Sequence, residues 1–426
     1  MLVNFRIENY KSFRDFAEFS MKATKLKNLQ ESNSFSIGNI SLLKSAVICG
    51  ANASGKSSLL HAMSSMKKIV ESSADMEKAK QYKAKPFLLN NDTDKKPTIF
   101  EVEFVIDEVL YRYGFEIGIN AVILEEWLFQ KKLKIRSKEI RLFERASEKT
   151  VFGASFKEGK QIVEKTRDNA LFLSVVAQFN GKISSKILKW FNSFNILSSI
   201  KSDDFIGFSF QQLEDKEFRE KIVNFIKSAD VGIQNIYNKK LKFDELNLDE
   251  DKLHLIPRDI IENIKENGLS SVETIHMQYD KSNSFQSFKS FSLDFESDGT
   301  QKLLALSAPI LDTLEKGLIL VVDELDNSLH TELVNAIIKL FNSKETNPNN
   351  AQIIFSTHDT NLLDQKLFRR DQIWLLDKNI FGVSELYSLV EYGKGKMRDD
   401  LVLEKNYLDG KFGGIPNISS LDFLDS

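Results

Sequence analysis

Apolar and polar residues alternate in "LVNFRIEN" at 2–9, where Val3, Phe5 and Ile7 fall at every second position. A period of two predicts a half-buried strand with these three on one face. "SAVICG" at 45–50 is a short apolar run closed by glycine, which predicts a buried strand. "SSLLHAMSSMKKIVESS" from 57 has helical spacing. From about 98 to 145 come "TIFEVEFVID", "LYRYGFEIG", "VILEEWLFQKKLKIR" and "KEIRLFER". These alternating runs, with turn residues between them, predict an antiparallel meander.

From about 160 to 285 the pattern turns mostly helical. Ile183, Ile187, Trp190, Phe191 and Phe194 recur at helical spacing, and so do Phe218, Ile222, Phe225, Ile226 and Ala229. The acidic "KFDELNLDEDKLHLIPRD" reads as a surface excursion. From 290 onward "LILVVDE" (318–324), "AQIIFST" (351–357) and "DQIWLLD" (371–377) alternate with helical stretches. Short apolar strands in that setting predict a parallel sheet covered on both faces. The expected organisation is α/β, with an N-terminal lobe at 1–155, a mainly helical insertion at 156–288 and a C-terminal lobe at 289–426.

Composition narrows this little. The 426 residues are enough for two or three folding units, and 42% apolar with 28% charged residues is ordinary for a globular chain. The 33 phenylalanines point to a well-filled interior. A net charge of −3 provides no overall basic field, so contact with nucleic acid would need a local patch. The single cysteine, Cys49, rules out a disulfide framework and fits a cytoplasmic protein. "MLVNFRIENY" lacks the apolar core of a signal peptide. "ALFLSVVA" at 170–177 is far too short to span a membrane.

"GANASGKSS" at 50–58 matches G-x-x-x-x-G-K-[ST] between a predicted strand and a predicted helix. Gly50 and Gly55 allow the tight turn, and the backbone N–H groups of Asn52, Ala53, Ser54, Gly55 and the helix start can surround phosphate oxygens. Lys56 suits the β- and γ-phosphates, Ser57 is a hydroxyl ligand for Mg²⁺, and Ser58 completes the first turn. "LILVVDE" ends in Asp323, a carboxylate suited to the same Mg²⁺, followed by Glu324, which can polarise an attacking water. "STHDTN" at 356–361 places His358 after the next strand, where it can meet the γ-phosphate. His330, in "LDNSLH", is a candidate for the rim. A chance glycine turn, acids at a strand end and a structural histidine are the plain alternatives; their order along one chain favours the nucleotide site.

"GANASGKSS", "ESDGTQK" (296–302), "LILVVDELDNSLH" and "STHD" together resemble the motif series of ATP-binding cassette ATPases. "FRIENYKSF" and the "SDGTQ" signature are similar to the RecF, SMC and OLD branch. The resemblance implies a head made of a P-loop parallel sheet and an antiparallel β subdomain, binding ATP and Mg²⁺. It also implies a homodimer or higher even oligomer, in which Ser297, Gly299, Thr300 and Gln301 meet the γ-phosphate held by a second copy. A helix N-cap by Ser297 or Asp298 is compatible with that role. Asn9 and Lys11 align with residues that approach nucleotide in this branch. Glu324 and His358 are the implied catalytic pair.

The chain lacks coiled-coil arms and a Cys-x-x-Cys hook, unlike SMC proteins. Asp399 and Asp400 form a lone acidic pair, which does not make the metal centre of an OLD nuclease. "LEKNYLDGKFGGIPNI" (403–418) and "KSADVGI" (227–233) resemble RloA/AbiLi-type ATPases of phage-defence operons. That resemblance implies a switch ATPase of low turnover that controls an operon-encoded nuclease or toxin. The alternative is a RecF-like repair clamp binding DNA through "KKLKIRSK" (131–138) or "KLFRR" (366–370), the first of which also reads as a solvated strand face. A transporter subunit fits neither the β-rich segment nor the signature.

Overall fold

The computed structural model describes residues 1–79, 81–82, 85–146, 149–197, 203–229, 232–241, 243, 258–391 and 402–415. Most of the acidic 242–259 stretch, Asp399, Asp400, residues 416–418 of the tail and part of 227–233 lie outside these residues. The chain divides into two compact units. One comprises Met1–Ser199, Thr313–Asn327 and Val334–Ser426; the other comprises Ile200–Asp312 and Ser328–Leu333.

The first unit holds a six-stranded sheet in the order Phe194–Leu197, Ile319–Val322, Gln352–Ser356, Ser45–Gly50, Ile373–Lys378, Ser384–Ser388. The first five run parallel and the last is antiparallel. Residues of Ser45–Gly50, Ile319–Val322 and Gln352–Ser356 are all buried, as unbroken apolar runs require. The helix Lys56–Ser72 buries Leu59, Leu60, Met63, Met66, Ile69 and Val70.

A seven-stranded antiparallel sheet accompanies it, in the order Thr150–Phe152, Ile140–Ala146, Ile123–Lys132, Val109–Ile117, Thr98–Ile106, Leu2–Glu8, Ala17–Ser20. Phe5, Phe100 and Phe115 from this sheet share one core with Ile48, Ile354 and Trp374 of the parallel sheet. The helices Phe172–Gln178 and Lys182–Asn192 pack into that core, where Trp190 stacks on Phe104 with centroids 4.0 Å apart. Gln352 ties the sheets together: its Oε1 accepts from Leu2 N at 2.7 Å, and its Nε2 donates to Leu2 O at 3.1 Å and Leu43 O at 3.0 Å.

The first strand corrects one expectation. A register shift between Leu2 and Asn4 turns Val3 away from the face of Phe5 and Ile7, into a smaller cluster with Leu42, Val105 and Leu133. An irregularity of this kind reverses which side chains face the core, which strict alternation cannot foresee.

The second unit has helices Asp203–Gln212, Lys216–Ser228 and Arg258–Asn267, and an antiparallel sheet of Ile233–Leu241, Leu269–Tyr279 and Phe285–Ser292. The stretch 160–285 is mostly helical as expected, and that sheet is an addition to it. Phe285, Phe288 and Phe291 recur every third residue, which imitates a helix, yet they lie on an edge strand whose residues are largely exposed. With little core face to serve, the strand carries no period of two. Leu213, Ile222, Ile226, Ile236, Leu303 and Leu304 make up much of this unit's core. Pro309, inside the helix Asp298–Lys316, has no N–H for the carbonyl of Ala305; the buried hydroxyl of Ser209 donates to it instead, at 2.9 Å.

Among the described residues no helix is long and apolar enough to cross a membrane.

Candidate functional site

The strand Ser45–Gly50 lies inside the parallel sheet, and the loop that follows it leaves from its C-terminal end, where open α/β sheets place their ligands. Asn52 and Ala53 are exposed at the tip of this loop, and Ala53 adopts φ 61°. Ser54 is buried, and its hydroxyl has no hydrogen-bond partner. Gly55 sits at φ 116°, where an added Cβ would collide with Ser384 Oγ. Ser384 fixes the loop from behind. Its hydroxyl donates to Ser54 O at 2.6 Å and its N–H to Ser12 O at 2.8 Å.

No side chain caps the helix Lys56–Ser72, and the N–H groups of its first turn, at Lys56, Ser57 and Ser58, have no intrahelical acceptor. Lys56 curls back over the loop, donating to Gly50 O at 2.6 Å and Ala51 O at 3.0 Å. Burial holds its ammonium below the ordinary lysine range, opposed by the charges of Asp323, Glu324 and Asp326. Uncapped N–H groups, a buried hydroxyl without a partner and a buried cation fit an anionic phosphate chain.

The strand Gln352–Ser356 lies between the loop-bearing strand and Ile319–Val322, so its end supplies groups to both. The buried hydroxyl of Ser356 donates to Asp323 Oδ1 at 2.5 Å and accepts from Glu324 N at 2.7 Å. Glu324 is held at φ 52°, a left-handed conformation that glutamate rarely adopts. Two residues past Ser356, His358 Nε2 is 3.5 Å from Glu324 Oε1, and its Nδ1 is 3.4 Å from Lys56 Nζ. The His358 backbone N–H donates to Asp326 Oδ2 at 3.1 Å. An imidazole protonated on Nε2 satisfies both contacts, offering its lone pair to Lys56 and its proton to Glu324. The structure thus brings together Lys56, the adjacent pair Asp323 and Glu324, and His358, from three separate stretches of the sequence.

Lys11 Nζ lies 2.6 Å from His61 Nδ1, on the helix that begins at Lys56. Asn9 is arranged differently. Its amide donates to the carbonyls of Thr93, Lys96 and Pro97 at 2.8, 3.0 and 3.1 Å and accepts from Phe87 N at 3.0 Å. That side chain is committed to holding a loop.

Ser297, Gly299, Thr300 and Gln301 belong to the second unit. Ser297 Oγ accepts from Thr300 N at 3.2 Å and contacts Thr300 Oγ1 at 2.9 Å, so serine is the helix cap. Gln301 Nε2 donates to Glu296 O at 3.0 Å. A Cβ on Gly299 would lie 2.6 Å from the carbonyl oxygen of Ser328. His330 is in the same unit and accepts from Glu332 N at 3.2 Å.

The basic stretches fare unequally. Arg369 of "KLFRR" is fully buried and paired with Asp371 at 2.7 Å, so it offers nothing to DNA. In "KKLKIRSK" the strand stops at Lys132, and Lys134, Arg136 and Lys138 lie exposed beyond it. Among the described residues no group of three or more His, Cys, Asp or Glu could hold a metal ion. Mg²⁺ needs no such cage, since it keeps waters and takes one or two protein oxygens beside phosphate.

Sequence reasoning missed Ser356, Ser384, Ser12 and His61. A signal existed only for Ser356, the last residue of the strand that separates the loop from Asp323.

Over residues 45–364 the chain matches a family described as "AAA domain, putative AbiEii toxin, Type IV TA system". No curated protein matches it. The matched span starts at the loop-bearing strand and runs past His358, so it takes in both carboxylates and the histidine between them and the lysine. The chain belongs to this family of AAA domains, whose match supports nucleotide binding.

Proposed function

We propose that the chain is an ATPase of low turnover that acts as a switch on a partner protein. The observation that carries this reading is His358, one ring in contact with both the P-loop lysine and Glu324. A histidine so placed can report the state of the γ-phosphate to the carboxylate beside it. Glu324 takes the role of general base, orienting a water and accepting its proton as the bond to the γ-phosphate breaks. Lys56 and the first-turn N–H groups hold the phosphates. Ser57 and Asp323 are the oxygen donors for Mg²⁺, which when bound neutralises charge on the β- and γ-oxygens. Ser356 fixes the direction of Asp323.

Ser297, Gly299, Thr300 and Gln301 serve a second copy's nucleotide, so that two heads enclose two ATP molecules. An exposed Ser297 at a helix start supports this reading. The family description, with its toxin–antitoxin context, supports control of an effector, as does the resemblance to RloA/AbiLi-type ATPases. The test is equilibrium ATP binding by Lys56→Ala, joined to native mass of Glu324→Gln in ATP and Mg²⁺. The account expects no binding in the first and a closed even oligomer in the second. ATP affinity unchanged in Lys56→Ala, or a Glu324→Gln monomer saturated with ATP, would overturn it.

A further inference from the structure

A second gathering of cations lies along the P-loop helix, and the ATPase reading leaves most of it without a task. A cavity of about 870 Å³ in the first unit is walled by the helix face carrying His61, Ser65, Lys68 and Ser72. Lys11, Lys78 and Lys85 line the same space, and Glu71 is its one acidic residue. That carboxylate is 3.6 Å from Lys67, and Lys78 is 3.8 Å from Asp75. Among the described residues no carboxylate comes within ion-pair distance of Lys11, Lys68 or Lys85.

These like charges act on one another. Burial first, and then the charge of Lys85, hold the Lys11 ammonium below its ordinary range. Burial and then Lys11 push His61 down, with Lys85 and Lys68 adding to the effect. Lysines drawn together around a concave space whose one described carboxylate, Glu71, is engaged by Lys67 make a field that a further anion would relieve. The phosphates on the P-loop cannot do this for the whole cluster. At 1.5 Å per residue, Lys68 lies about 18 Å along the helix from Lys56.

We propose that this cavity binds a phosphate-bearing ligand distinct from the nucleotide on the P-loop, with Lys11, Lys68 and Lys85 as its counter-ions. Two sources share the required chemistry, a nucleic-acid backbone and a small phosphorylated molecule.

The test uses the full chain carrying Lys56→Ala, so that the P-loop is out of play. A labelled single-stranded oligonucleotide is titrated by anisotropy, and inorganic tripolyphosphate by calorimetry, each over a range of salt. At least one probe should bind, weakening as salt rises, and its affinity should fall at least about tenfold in Lys68→Glu with Lys85→Glu. Oligonucleotide binding that tripolyphosphate does not displace identifies nucleic acid; tripolyphosphate binding alone identifies a small ligand. Lys68 and Lys85 are exposed, so these variants should fold, and thermal melts check that. The glutamine pair, Lys68→Gln with Lys85→Gln, should show a smaller loss in the same direction. Binding of neither probe overturns the proposal, as does binding that the lysine variants leave unchanged. Because Lys56 is already replaced, neither result depends on whether the chain hydrolyses ATP.

Discussion

The hydroxyl of Ser356 donates to Asp323 at 2.5 Å and accepts from the backbone of Glu324 at 2.7 Å, so one buried oxygen positions both acids of the site. Ser356→Ala removes the donor to Asp323 and the acceptor of the Glu324 N–H. The expected cost is about 1–3 kcal/mol of stability. Turnover should fall more than ATP affinity, because Asp323 and Glu324 lose their direction while the P-loop stays intact. Chemical denaturation and steady-state kinetics on the same preparation check both parts.

Gly299 tests the packing at the start of the helix Asp298–Lys316. Alanine there should gain at most ~1 kcal/mol in helix propensity. Its Cβ, however, would sit 2.6 Å from the Ser328 carbonyl oxygen, a backbone atom that cannot swing aside. Overpacking typically costs about 1–3 kcal/mol, so Gly299→Ala should be net destabilising in a denaturant titration.

Ser297 separates capping from service to a second copy. Ser297→Ala should lose the cap to Thr300 N, about 1 kcal/mol. Ser297→Arg should spare ATP binding by a monomer yet abolish hydrolysis that depends on protein concentration. Hydrolysis unchanged in Ser297→Arg would count against the two-headed arrangement.

The strands that lead into the loop at 50–58, the Asp-Glu pair and the histidine were legible in the sequence because each is a short, unbroken apolar run. Ser356 was not, since its partners at 323 and 324 become neighbours only through strand order. Ser384 and Ser12, which back Gly55, come from the two ends of the chain. The edge strand Phe285–Ser292 was not legible, because its residues are largely exposed and carry no period of two. Asn9 aligned with a nucleotide-site residue but holds the 87–97 loop, a distinction that rests on contacts remote in sequence.

Lys44 gives a pH signature. It donates to Asn342 O at 3.2 Å and Ser343 O at 3.4 Å, and burial lowers its pKa from 10.5 to about 8. Between those values the unfolded chain binds more protons than the native one, so this group's contribution makes stability rise with pH across that window. Below about pH 8 both states are protonated and the contribution is flat. Lys44→Met should remove the rise, as measured by denaturation on either side of the window.

Phosphate release by Glu324→Gln, measured beside the wild-type protein at saturating ATP and Mg²⁺, tests the central claim most directly. The amide keeps the side chain's size and its contact with His358 but cannot accept the water's proton. The account predicts retained ATP binding with turnover reduced by about 100-fold or more, the scale of a lost general base. Turnover at the wild-type rate would contradict it.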